Sequence, residues 1–301
     1  MPKLHHDEVD IDAGTVRALL AEQFPELVVD SLVEVEPAGT DNVNYRATAA
    51  GQDLVVRLPR KPDAAAGIAK EARFGRLLGS ALPVAIPVPT GVGRPSASYP
   101  FPWSVGPWLP GELPTPGAAT GELAVDLAGF VRALRSVDAA PHLGDAMLTS
   151  YRVGPIAPRF ADTDEFLPRC DGWVDVPAVR DAWESLKHVE PYEGPPAFAH
   201  TDLQPGNLLV DEHGRLSAVI DFGALAVGDP TVDLLPAWQV FDAETRPRFR
   251  AAMAVDETTW RRGMAWAVTI GVVALGHYAG SGSPLVERSR YQLEQVLLEL
   301  A

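Results

Sequence analysis

The segment from His200 to Gly223 constrains this chain more than any other. It reads His200-Thr201-Asp202-Leu203-Gln204-Pro205-Gly206-Asn207, then an apolar run from Leu208 to Val210 and turn residues from Asp211 to Gly214. A second run, Leu216 to Ile220, leads into Asp221-Phe222-Gly223. Two short apolar runs around a polar, glycine-bearing turn predict a β-hairpin. Such a hairpin returns Asp221 to the end of the loop that carries Asp202 and Asn207, so three oxygen-bearing side chains converge. Magnesium prefers oxygen ligands and combines one or two carboxylates with phosphate oxygens and water. Asn207 and Asp221 therefore suffice as protein ligands if a nucleoside triphosphate completes the shell. Asp202 is left over as a base. An Asp and an Asn five residues apart are by themselves ordinary turn residues; Asp221-Phe222-Gly223 beyond the hairpin gives the pair its chemical meaning.

The order and spacing of these residues resemble the protein-kinase fold, whose catalytic loop has the form H-R-D-L-x-x-x-N followed by a strand pair and D-F-G. Thr201 replaces the arginine that would pair with a phosphorylated activation loop, which favours a small-molecule kinase that is always assembled. More closely, the chain resembles the aminoglycoside phosphotransferase family, on His200, Asp202, Asn207, Asp221, Gly228-Asp229-Pro230 and Asp233-Leu234. The resemblance implies an α+β, two-lobed protein-kinase-like fold with an antiparallel-sheet N-lobe and a mainly helical C-lobe. It implies that Asp202 accepts the proton of a substrate hydroxyl, that Asn207 and Asp221 hold Mg2+, and that ATP or GTP is the phosphoryl donor. His200 and Asp233 are expected to brace the loop.

In the N-terminal part, Val16, Leu19, Leu20 and Phe24 follow Asp12, a candidate N-cap, at helical spacing, and Pro25 ends the helix. Strand-like runs follow at Leu32 to Val35, Val43 to Thr48 and Leu54 to Leu58, with turn residues at Pro37 to Asn42 and Gly51 to Asp53. A helix is expected over Ala64 to Leu78. Arg57 occupies the strand position where kinases of this fold place lysine; it can contact nucleotide phosphates and pair with Glu71 in the next helix. Gly39 to Asn44, with Thr40 and Asn42, is either an ordinary hairpin turn or a phosphate-covering loop; it lacks the three-glycine pattern. Around Trp103 to Trp108, Pro107 has no N–H, so any contact with a nucleotide base falls to neighbours such as Gly106 and Trp108. The two tryptophans there are expected to pack rather than stack on a base.

The chain divides in this reading into an N-terminal nucleotide-binding lobe, 1–105, a Pro/Gly-rich hinge, 106–111, and a catalytic and substrate-binding lobe, 112–301. Helical patterns mark the last at Glu122 to Arg135, Ala178 to Leu186, Leu234 to Val240, Arg246 to Met253, Thr258 to Leu275 and Val286 to Leu300. At 47% hydrophobic and 22% charged residues the chain has the composition of a folded protein. A formal net charge of −15 argues against a nucleic-acid partner and suits a cationic one. The single cysteine, Cys170, makes no internal disulfide and reads as an apolar filler. Met1 to Asp10 lacks the pattern of a signal peptide, and Met264 to Leu275 is about half of the roughly 20 residues that span a bilayer, so a cytoplasmic chain without membrane or obligate protein partner is expected.

Acceptor binding is expected from the acids Asp162, Asp164 and Glu165, read as one loop, together with Asp229, unless the first three are only a solvated charge run. An acidic cleft would suit an aminoglycoside. A macrolide, or a housekeeping acceptor such as choline, homoserine or a sugar amine, is the alternative within the same chemistry, and a nucleotide-binding pseudokinase the alternative outside it.

Overall fold

The computed structural model describes residues 9–36 and 41–301. Gly39 and Thr40 of the candidate phosphate-covering loop lie outside the described residues. The chain separates into two compact units. The first comprises 1–80, 85–110 and 220–223; the second comprises 81–84, 111–219 and 224–301.

The first unit begins with α1 (Ala13–Gln23), capped by Asp12, whose Oδ1 accepts from the Thr15 amide at 2.7 Å. Its Val16, Leu19 and Leu20 are buried against an antiparallel sheet. The strands are β1 (Val29–Glu34), β2 (Asn42–Ala49) and β3 (Gln52–Pro59), then, beyond helix α2 (Pro62–Gly79), β4 (Gly91–Gly93) and β5 (Trp103–Pro107). Their spatial order is β1-β2-β3-β5-β4. Period-two alternation sends Val43, Tyr45 and Ala47 of β2 and Val56 and Leu58 of β3 into one core with α1 and Trp103. Gly93 is required there, because a Cβ would stand 2.1 Å from the Trp103 ring.

Several sequence boundaries move. The first strand starts at Val29, three residues before the expected Leu32, and the turn expected at Gly51 to Asp53 sits at Ala50 and Gly51, both at positive φ (49° and 76°). Gln52 and Asp53 are strand residues paired with Ala49 and Thr48. A left-handed pair closes a two-residue hairpin with the twist strands require, and that geometry overrides the bias of Asp against strands.

In the second unit α3 (Gly121–Ser136) is capped by Thr120. A succession of single 3-10 turns over residues 140–159 leads into α4 (Phe160–Phe166), and α5 (Val176–Leu186) follows. Two short antiparallel ribbons come next, β6 (Ala197–Ala199) with β9 (Ala226–Gly228), and between them in sequence β7 (Leu208–Val210) with β8 (Leu216–Val219). The expected hairpin is therefore present, turning over Asp211 to Gly214. The helix expected over Leu234 to Val240 is broken: Asp229 caps a 3-10 turn, Pro230–Leu234, and Pro236 starts a separate α6 (Pro236–Gln239). The chain ends in α7 (Arg246–Met253), α8 (Glu257–Tyr278) and α9 (Pro284–Leu300).

Helix α8 is apolar on most of its circumference, with Trp260, Met264, Trp266, Val268, Val272 and Leu275 all buried, as a helix at the centre of a helical unit must be. No helix among the described residues is long and apolar enough to cross a membrane. Cys170 is fully buried with its thiol directed at the Phe166 and Val272 carbonyls (3.6 and 3.5 Å), and burial pushes that thiol up to about 11.

Candidate active site

The loop that leaves β6 is held from behind by a buried carboxylate. Asp233, fully buried, accepts from the His200 amide through Oδ2 and from the Thr201 amide through Oδ1, both at 2.8 Å. Burial pushes the Asp233 carboxyl upward, while His200, Arg135 and these two amides pull the other way. Thr201 sits at φ +67°, a left-handed conformation that a β-branched residue adopts at a cost of about 1–3 kcal/mol. Its Oγ1 donates to the Ala224 carbonyl at 2.8 Å, and this bond and the Asp233 anchor hold the strained turn in place. The His200 ring is fully buried and its Nδ1 accepts from the Asp202 amide at 3.3 Å. Both His200 and Asp233 therefore brace the loop from inside.

The strained turn presents Asp202 with its side chain about 32% exposed. Its Oδ1 accepts from Arg152 Nη1 at 2.9 Å, and its Oδ2 accepts from Asn207 Nδ2 at 3.0 Å and Gln204 Nε2 at 3.1 Å. Asn207 also donates Nδ2–H to the Asp202 carbonyl at 2.8 Å. With its amide nitrogen committed to Asp202, the amide oxygen of Asn207 is the atom it can offer a cation.

Arg152 was not among the residues expected from sequence. It lies on a 3-10 turn, Tyr151–Val153, fifty residues before Asp202, and its Nη1 also donates to the Thr201 carbonyl at 2.7 Å. The turn is itself pinned, because Val153 O accepts from the Asp229 amide at 2.9 Å. Burial pulls the Arg152 guanidinium down, yet Asp202 and Tyr151 outweigh it and hold it above its ordinary range, so the arginine stays charged.

In the first unit the centre is Arg57 on β3. Its Nη1 donates to Glu71 Oε1 at 2.6 Å and its Nη2 to Asp221 Oδ1 at 2.7 Å. The Asn42 amide, with its oxygen turned toward Arg57, accepts from Nη2 at 2.9 Å and Nε at 3.2 Å. Glu71, on α2 and buried, takes a further bond from the Phe222 amide at 2.9 Å. Burial pushes its carboxyl upward against the pull of Arg57. Burial also opposes the Arg57 charge, but Asp221 and Glu71 prevail and raise it above its usual range. The expected Arg57–Glu71 pair is thus present, with Asp221 as its third member.

β8 ends at Val219, one residue short of the expected Ile220, and Asp221 stands past it at φ +65°. Close packing sets its place, since a Cβ on Gly67 of α2 would lie 3.2 Å from the Gly223 Cα.

Four other expectations need correction. Asp162, Asp164 and Glu165 are on helix α4, not a loop; Asp162 pairs with Arg159 one turn earlier and Glu165 with Arg169 at 2.6 Å, leaving Asp164 exposed. Asp229 is a buried turn brace, its Oδ1 taking the Thr231 amide at 2.9 Å and the Thr231 hydroxyl, and burial pushes its carboxyl upward. The Trp108 amide, just past β5, is already donated to Asp53 O at 3.0 Å, and its ring lies under the Arg46 guanidinium (5.0 Å), so that amide is spent on the neighbouring chain rather than on a base. Gly106 is part of β5, paired with Val55. Trp103 is buried edge-on to Phe24, as packing required.

Among the described residues no group of three or more His, Cys, Asp or Glu side chains is arranged to hold a metal ion. The Asn207 amide oxygen and the Asp221 carboxylate are each a hard oxygen donor of the kind Mg2+ takes alongside phosphate oxygens and water.

A family model described as a phosphotransferase enzyme family matches residues 33–266. The GDP complex of wild-type aminoglycoside 2'-phosphotransferase-IIIa aligns at TM-score 0.75 and 19% identity, covering 97% of this chain and 100% of that one. Macrolide 2'-phosphotransferase MphH from Brachybacterium faecium aligns at TM-score 0.66 and 24% identity, covering 94% and 98%. The streptomycin–ATP complex of APH(2'')-IIa aligns at TM-score 0.60 and 19% identity, over 93% and 95%. No curated protein sequence gives a match. At these identities the structures establish the fold, the kinase-like α+β fold expected from the sequence.

Proposed function

The chain belongs to the phosphotransferase enzyme family, and on that premise we propose that it moves the γ-phosphoryl group of ATP or GTP to a hydroxyl of a small molecule, with Asp202 as base. The observation that carries this reading is the state of the Asp202 carboxylate. It is presented from a strained turn, held at both oxygens by Arg152, Asn207 and Gln204, and still about a third exposed. A carboxylate held so, and open on one side, is placed to orient a hydroxyl and take its proton as the oxygen attacks. Arg152 keeps that carboxylate in one rotamer. Asn207 through its amide oxygen, and Asp221, would hold Mg2+, which when bound to a nucleotide neutralises charge on the β and γ phosphates. Arg57 ties Asp221 to Glu71 and so fixes the ligand's position within its own unit.

Aminoglycosides and macrolides, the acceptors named for the solved relatives, are the first to assay. Two of the α4 acids that suggested a polycation, Asp162 and Glu165, are paired with arginines flanking their own helix and lend it little support. The test is release of ADP or GDP with Mg2+ across kanamycin, streptomycin, erythromycin, choline, homoserine and hydroxy acids. Asp202→Ala is expected to lower acceptor-dependent turnover by about 10²–10⁴-fold while nucleotide still binds. Full turnover in that variant would remove the assignment; nucleotide binding with no acceptor used would turn the reading toward a pseudokinase.

A further inference from the structure

A cavity of about 670 Å³ opens in the second unit, and none of Asp202, Arg152, Gln204 and Asn207 lines it. Its wall combines Arg135 near the end of α3, Asp138 just beyond it, Tyr192, the Pro230–Thr231 turn and Asp256, the N-cap of α8. That volume lies within the range of small-molecule sites, about 300–1,000 Å³.

Arg135 is the one cation lining the cavity among the described residues. A guanidinium has five N–H donors, yet Arg135 makes a single hydrogen bond, from Nη2 to the Pro230 carbonyl at 2.9 Å, and its Nε is buried without a partner. It makes no ion pair among the described residues. Burial pulls its guanidinium below the ordinary range, with Asp233, Asp229 and Tyr192 opposing, and an arginine stays charged through such a shift. A charged, planar fork short of acceptors matches a carboxylate. Behind the wall the charges offset one another: the Thr231 hydroxyl donates to Asp229 and accepts from Arg262 at 3.5 Å.

Two exposed acids share the lining. Asp138 Oδ1 accepts from the Ala140 amide at 3.0 Å and Asp256 Oδ1 from the Thr259 amide at 2.6 Å, and neither makes an ion pair among the described residues. A phosphate or a simple acid drawn to Arg135 would meet their repulsion, whereas a ligand with a cationic end would be attracted. Tyr192 and the prolines Pro195, Pro196 and Pro230 give an apolar surface for the chain between the two ends.

We propose that this cavity binds a small amino-carboxylate zwitterion, its carboxylate on Arg135 and its ammonium toward Asp138 and Asp256. The site stands independently of the phosphoryl-transfer reading. Its occupant touches the turn that carries Asp233, whose oxygens hold the His200 and Thr201 amides.

The test uses the full-length chain in thermal unfolding at fixed ionic strength, with γ-aminobutyrate and ε-aminocaproate as zwitterions and caproate and hexylamine as the two half-ligands. At least one zwitterion is expected to raise the midpoint, at a half-effect concentration at least tenfold below that of either half-ligand. No rise with either zwitterion, or a response no better than that of caproate, overturns the proposal. Arg135→Gln is expected to erase the margin over hexylamine. Because that variant also loses the bond to Pro230, the second variant is Asp138→Asn with Asp256→Asn, where each amide oxygen can still cap its turn. This double variant is expected to erase the margin over caproate; a wild-type response from it overturns the ammonium site. Asp202→Ala and saturating Mg-ATP are each expected to leave the zwitterion's half-effect unchanged, and a tenfold shift in either case assigns the probe to the catalytic cleft and overturns the separate site.

Discussion

Asp233 shows how one side chain sets the geometry of a loop. Its two oxygens each accept one backbone N–H, so Asp233→Asn exchanges one acceptor for an amide nitrogen that faces a donor. An unsatisfied buried donor costs about 1–3 kcal/mol, and the loss should appear as a lower denaturant midpoint together with reduced turnover, because Thr201 is no longer held at positive φ. Arg152→Gln should act differently: the fold stays, Mg-nucleotide affinity stays, and kcat drops by about tenfold or more as Asp202 loses its charge-assisted bond. An unchanged kcat would make Arg152 a bystander. Asp202 and Asn207 were singled out from one local motif with fixed spacing, and Asp233 from the family resemblance. Arg152 was not, since it reaches the site from a 3-10 turn with no periodic signal, and only the folded chain brings it there. The acids of α4 misled because a seven-residue, acid-rich helix leaves little periodicity to read.

At the scale of elements, the β7–β8 hairpin is clamped to α3 by Arg215, whose Nε and Nη2 reach the two Asp126 oxygens at 2.6 Å each. Arg215 is mostly exposed, so Asp126→Asn should cost only about 0.2–1 kcal/mol by denaturant titration. The Arg215 bond, then the Leu216 amide, outweigh partial burial and lower the Asp126 carboxyl from its ordinary 3.8. Its stabilisation is therefore full above that value and is lost as pH falls through the lower folded one, and the cost of Asp126→Asn should shrink in the same acid window. Helix α7 offers an opposite case. It ends at Ala254 with φ 52°, the left-handed position that glycine occupies without strain. Ala254→Gly should raise stability by a few tenths to about 1 kcal/mol; a loss would show that the glycine's added freedom in the unfolded chain outweighs the relief. The long amphipathic helices were legible from their periodicity, while the 3-10 turns over 140–159 and the break at Pro236 were not, because they are set by capping and tertiary contacts.

For the whole molecule, each unit has its own core, built by α1 and the sheet in one and around α8 in the other. Mg-ATP at 100 times its Kd should stabilise the folded chain by about 2.7 kcal/mol. Chelation with EDTA, or Asp221→Ala, should remove most of the resulting rise in Tm; an ATP-induced rise that survives both would dissociate the metal from Asp221.

The buried thiol of Cys170 bears on how such tests can be made. As the chain's sole cysteine, shielded and poorly ionised at neutral pH, it should stay silent toward maleimides and iodoacetamides in the folded protein. A cysteine placed on any exposed position then becomes the one addressable group, so fluorophores or spin labels can follow ligand-induced motion without first stripping a native residue from the core.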